Sequence, residues 1–277
     1  MTTAAPRVPV PAAERPNGAA AHATLILAII CVSYFMVILD NSIVLTGLPR
    51  IRSDMGFSET GLSWIVPLRL FACRARSGAY LTRMLYMGAM MGFSFFTARF
   101  VQSVYHWTPL QAGLAFLPMT LVNYVFAVQV PRLLEKAGRP VVLLTGVVLT
   151  AAGMAWLSRL GLHTPYRTDV ALPMVLIGAG QGLALAPLTS SGVDGIAPAA
   201  AGAGSGLVNT VHQIGSALSL SILTAVAAAV STGHTAADIA ARSGTALTGS
   251  AVLLAPAVLT VLILIVPARA TREERSL

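Results

Sequence analysis

Apolar residues in this chain come in long unbroken runs, without the three-to-four rhythm of a surface helix or the alternation of a half-buried strand. Runs long enough to cross a bilayer occupy about 24–45, 80–105, 110–130, 139–160, 172–190, 207–230 and 246–268. Each is close to the ~20 residues that a helix needs to cross a ~30 Å hydrocarbon core. Inside lipid every backbone group has to be satisfied within its own segment, and runs of this length can do that only as helices. The pattern therefore predicts an all-α, polytopic membrane protein: a six-helix bundle over 80–268 preceded by one N-terminal spanning helix over 24–45.

The intervening segments follow from the same reasoning. Residues 1–23 are rich in Pro and Ala and have little to pack, so they read as a disordered tail. A cleaved signal peptide is the competing reading; the run from Thr24 is long for a signal core and lacks a clear small-residue cleavage site. Residues 46–79 break the series. Their apolar stretch, Gly61 to Ala72, would reach only about 18 Å as helix, and it contains Pro67 and Arg69. This segment reads as a loop and a truncated second-helix or junction piece, and 269–277 as a cytoplasmic tail.

Composition sharpens the class. The chain is 56% hydrophobic and 10% charged, against about 45–50% and 25% in soluble domains. A net charge of +8 could suggest nucleic acid, but the basic residues are mostly arginines scattered between apolar runs, which fits orientation in a membrane better. PRLLEKAGRP (131–140) and PARATREERSL (267–277) are rich in Arg and Lys, whereas the loops at 105–111, 161–170 and 231–244 are poorer. The basic loops should face the cytoplasm, giving a multi-pass plasma-membrane protein whose partner is the lipid bilayer. Cys31 and Cys73 form no CxxC pair or His/Cys cluster, so neither a metal nor a redox cofactor is expected.

Small residues four apart mark close helix packing: Gly88 with Gly92, Gly178 with Gly182, and Gly202 with Gly206. GAGQG (178–182) looks superficially like a dinucleotide loop. With no strand before it and an apolar run around it, helix packing is the better reading. Among polar residues within spans, Arg99 and Gln181 rank highest as substrate contacts because they lie deep, and His212 and Gln213 are further candidates. Arg83, near a helix start, reads as a snorkelling side chain, and Asn123 as a helix contact. Asp40, beside Asn41 at the end of the first run, either faces a cavity or proton path or is an interfacial helix-end acid. The sequence holds no HExxH, GxSxG, phosphate loop or paired carboxylates at helical spacing, so an enzyme is not expected.

LDNSIVLTGLPRI (39–51) resembles the first-helix motif L-D-x-T-I-V-N-V-A-L-P-x-I of the fourteen-span drug:proton antiporters of the major facilitator superfamily. Ser42 replaces Thr, and Leu45 stands where that motif has Asn. GLSWIV (61–66) resembles the opening of the second helix, and from Val66 onward the chain resembles the family's C-terminal half, including PRLLEKAGRP, GAGQGLALAPL and AGAGSGLVNTVHQIGSAL. The loop motif after the second helix and the Arg and Gly-Pro motifs of the fourth and fifth are missing. The resemblance implies an internally truncated, proton-coupled efflux protein for drugs or other small amphipathic compounds. Its bundle would be major-facilitator-like, with Asp40 in proton coupling. The alternative is a non-transporting membrane fragment that acts as a structural or interaction partner.

Removing the second through eighth helices deletes an odd number of crossings. Three arrangements accommodate this: 61–79 spans a thinned bilayer with Arg69 snorkelling, the first helix inverts, or the product is half-inserted.

Overall fold

The computed structural model describes residues 73–196, 201–233 and 235–265. The runs at 24–45 and 61–72, Asp40, Asn41 and the tail at 269–277 lie outside the described residues. Everything described is helix or short connection, with no strand among the described residues. The helices are α1 (Arg74–Val104), α2 (Pro109–Ala115), α3 (Leu117–Leu157), α4 (Leu172–Val193), α5 (Ala201–Val230) and α6 (Ala236–Thr260). One π-helical turn, Arg167–Ala171, leads into α4, and another, Val261–Ile265, extends α6.

Three helices, α1, α5 and α6, start six to ten residues earlier than the apolar runs. α1 begins at Arg74 rather than near 80, because a helix continues past its lipid-exposed part into a polar first turn carrying Arg74 and Arg76. α6 begins at Ala236 inside the stretch read as loop, fixed by a capping box. Thr235 Oγ1 accepts from the Asp238 amide at 3.2 Å, and the Asp238 carboxylate accepts from the Thr235 amide at 3.1 Å. Two of the four unpaired amides of a helix start are thereby satisfied.

α3, at 41 residues, is two crossings rather than one. Gly138 sits inside it at φ 75°, ψ 158°, a left-handed backbone that glycine adopts without the steric cost other residues meet. Packing registers show that the chain reverses there. On the first limb (117–137), Met119 lies against Gly178 and Asn123 against Gly182, so this limb runs parallel to α4. On the second limb (139–157), Gly146 meets Ala184 while Gly153 meets Ile177, so this limb runs antiparallel to α4.

The same reading fixes the remaining directions. Met84 faces Gly215 and Gly88 faces Ser219, making α1 and α5 parallel. Gly78 meets Leu264 while Gly92 meets Ser250, making α1 and α6 antiparallel. Arg83 meets Thr189 and Tyr80 meets Gly192, so α1 and α4 are antiparallel as well. With α3 counted as two limbs, the described chain crosses six times in strict alternation.

Tyr86, Phe93 and Phe100, seven residues apart on α1, are wholly buried and share a core with Leu143, Val147, Met154 and Leu157 of the second limb. Across the bundle, Tyr86 and Thr150 share a 2.8 Å hydrogen bond between their hydroxyls. The outside is apolar: Leu121, Val128, Ile214, Leu218, Ile222 and Ile263 are each more than half exposed. Such a surface suits lipid rather than water.

Candidate functional site

The Gly138 hairpin and the loop between α4 and α5 lie at one end of the bundle, where Arg139 pairs with Asp194 at 3.2 Å. About two helical turns inward, three helices contribute to a polar cluster. The Arg83 guanidinium of α1 donates to Thr189 Oγ1 of α4 at 2.6 Å, and a second nitrogen lies 3.4 Å from His212 Nδ1 of α5. Arginine has no acceptor, so Nδ1 accepts and the neutral ring carries its proton on Nε2. Arg83 Nε is buried without a partner among the described residues. Tyr80, one turn before Arg83, donates to the Gly192 carbonyl at 2.8 Å. Gly192 leaves the room this needs, since a Cβ there would come 2.7 Å from Val208 Cγ2.

A second polar pair lies along α4. Asn123 Nδ2 of the first limb donates to Gln181 Oε1 at 2.9 Å. Gly178 and Gly182 make this possible: a Cβ on Gly182 would sit 2.6 Å from the Asn123 carbonyl oxygen, so only glycine lets the limb approach this closely. Gln181 and Thr189 are eight residues apart, which sets the two polar groups about 12 Å apart along α4.

The sequence-derived candidates thus separate. Gln181 and His212 belong to these groups, and Gln213, beside His212, is exposed. Arg99 is elsewhere: it follows Arg83 by 16 residues, about 24 Å along α1 and some 160° around it. It lines a separate cavity between α1, α5 and α6. Arg83 and Thr189 are the residues that sequence reasoning missed. Arg83 was expected to snorkel outward, but its guanidinium turns inward to hydrogen-bond α4 and α5. Its partners lie 106 and 129 residues away, a separation at which periodicity gives no signal.

Two packing glycines need correction. Gly88 and Gly92 lie against α5 and α6, and Gly178 and Gly182 against the first limb, but Gly202 and Gly206 meet no atom within 4 Å among the described residues. Their four-residue spacing puts both on the exposed face of α5. The buried glycine there is Gly204, which packs over Ile196.

At the opposite end, Tyr105, Trp107 and Tyr166 cluster in tilted and edge-on contacts with ring centroids 5.0–6.5 Å apart beside an open cleft. Tyr105 donates to the Thr164 carbonyl and Tyr166 to the Ala115 carbonyl, both at 2.7 Å. Burial, reinforced by the nearby Asp169 and Tyr166, pushes the Tyr105 hydroxyl up to about 12. This paired aromatic girdle is the kind that sits at a bilayer surface.

Residues 67–220 match the family model of the Major Facilitator Superfamily. The cephamycin export protein CmcT of Amycolatopsis lactamdurans is 35% identical over 198 residues, covering 71% of this chain and 40% of that protein. The puromycin resistance protein pur8 of Streptomyces alboniger is 35% identical over 179 residues, 64% of this chain and 35% of its own length. The methylenomycin A resistance protein of Streptomyces coelicolor is 27% identical over 159 residues, 57% of this chain and 33% of its own. The chain thus spans less than half the length of these relatives.

Proposed function

Because this multi-pass membrane protein belongs to the major facilitator superfamily, we propose that its six-helix unit serves as one half of a proton-coupled exporter of small amphipathic compounds. In transporters built from repeated bundles, substrate is held near the midplane between two bundles that rock against each other. The observation that carries the reading is the row of polar side chains along α4, Asn123 with Gln181 and Arg83 with Thr189 and His212, in a largely apolar bundle. Polar groups at such depth are costly and mark substrate or ion paths.

The Arg83–His212 contact also gives the bundle a proton-responsive element. A proton added at Nδ1 would remove the acceptor and set two cations 3.4 Å apart, so protonation opens the contact. Asp40, with Asn41 beside it, is the carboxylate that the first-helix motif assigns to coupling. Since relatives are named for cephamycin, puromycin and methylenomycin A, the substrate class is antibiotics.

The test measures efflux of puromycin and of a fluorescent cation from energised bacteria. One strain carries the full chain alone; another adds the separately expressed N-terminal half of a related exporter. Export is expected with the pair, lowered roughly tenfold by Arg83→Gln or His212→Asn, as expected when a charged hydrogen bond is lost, and lowered also by Asp40→Asn. Export that all three substitutions leave untouched would sink the site assignment. A second reading, a non-transporting membrane partner, draws on the chain spanning only 40% of CmcT. It predicts no export in either strain.

A further inference from the structure

The cavity between α1, α5 and α6 has a chemistry unlike the polar row. Phe95, Phe96, Ala227 and Ile239 form its apolar wall, and Arg99, Thr224, Arg242 and Ser243 are its polar lining. Its volume is about 60 Å³, room for several atoms where one water needs about 10–15 Å³. Among the described residues, the Arg99 side chain makes no hydrogen bond or ion pair. Arg242 commits only its Nε, to the Ser231 carbonyl. The Ser243 hydroxyl is wholly buried and has no partner among the described residues, a donor whose burial costs about 1–3 kcal/mol when unmet.

Depth decides what would meet these donors. Arg99 lies five residues before the end of α1 and Arg242 six residues after the start of α6, so both are about 8–9 Å inside their helix ends. That is where the glycerol and phosphate groups of a leaflet lie over the hydrocarbon core. Asp238, whose charge acts on Arg242, is held by Ser231 and Thr235 in the cap of α6. It tempers Arg242, whereas Arg99 meets no acid among the described residues. Phe95, 40% exposed at the rim, offers an apolar wall for acyl chain.

We propose that this cavity binds the phosphate of an anionic phospholipid, with the Arg99 guanidinium and the Ser243 hydroxyl donating to phosphate oxygens and Arg242 adding charge. Arginine suits the role because its planar fork grips phosphate oxygens in pairs, and it is less strongly hydrated than lysine. The bound lipid would tie α1 to α6 at the end remote from the Gly138 hairpin. The site is independent of the polar row along α4 and does not depend on whether the chain exports anything.

Native mass spectrometry of the full chain in detergent, with phosphatidylglycerol and phosphatidylcholine added in parallel, tests the proposal. One phosphatidylglycerol should be retained in preference to phosphatidylcholine. Arg99→Gln should weaken that retention about tenfold, the worth of a charged hydrogen bond. Arg99 is exposed and makes no bond among the described residues, so its removal leaves the fold alone; Ser243→Ala gives a second reading with a smaller loss. Arg159→Gln, an exposed arginine at the same end but outside the cavity, should change nothing. Equal retention of the two lipids would overturn the proposal, as would equal losses in the Arg99 and Arg159 variants. Displacement of the lipid by millimolar inorganic phosphate would overturn its lipid source.

Discussion

The closest approach between the second limb of α3 and α4 sets up a sharp test. A Cβ on Gly180 would lie 2.5 Å from the Gly146 carbonyl oxygen and 2.6 Å from the Thr150 amide nitrogen, with Thr150 Oγ1 closer still. Two of these three obstacles are backbone and cannot rotate away. Ordinary contact begins near 3.4 Å, so Gly180→Ala must part the helices by close to 1 Å. Overpacking of this kind costs about 1–3 kcal/mol, or roughly 5- to 150-fold in the folding constant. The shift also draws Thr150 from Tyr86 and strains their 2.8 Å hydrogen bond. Unfolding of the full chain in mixed micelles, followed by tryptophan fluorescence against rising denaturing detergent, reads the loss. Gly206→Ala is the matched comparison: its Cβ enters open space, and alanine gains up to ~1 kcal/mol over glycine in a helix interior. Opposite signs for the two variants are expected. If Gly180→Ala held the parent's stability, the packing argument would be refuted.

Other consequences can be measured on the same preparation. Tyr105 keeps its proton in the folded state up to about 12, whereas the ordinary tyrosine value is 10.0. The unfolded chain therefore releases this proton first as pH rises, so stability should hold below pH 10.0 and fall between there and about 12. Tyr105→Phe should flatten that slope, read from detergent unfolding across the alkaline range. Thr235→Ala removes the side-chain half of the α6 capping box and should cost about 1 kcal/mol in the same assay. Tyr86→Phe deletes one interhelical hydrogen bond and should cost about 0.6 kcal/mol; a loss above 3 kcal/mol would mean that Tyr86 does more than bond Thr150.

The crossings after residue 80 were legible because lipid imposes one rule on every residue it touches: long apolar runs. Helix starts were less so. Arg74 and Ala236 open their helices in polar first turns, where hydropathy is silent and local capping decides. The glycine pairs show the limit of spacing. Four-residue separation put Gly88 with Gly92 and Gly178 with Gly182 at interfaces, but it carries no phase, so Gly202 and Gly206 fell on the outer face of α5. Arg83 was misread for a related reason. Whether an arginine near a helix start reaches out to headgroups or in to its neighbours depends on residues more than a hundred positions away.

Gly78, near the start of α1, touches Leu264 and Ile265 beyond the end of α6, so the unit begins and ends at one spot. A polypeptide module closed in this way behaves as a cassette. It can be spliced into, copied within or lost from a longer membrane protein without changing the side on which its flanking segments emerge. Gene rearrangements that cut at its borders are therefore topologically silent, whereas a cut in the connection at 158–166, inside it, strands half the crossings and puts the new end on the opposite side.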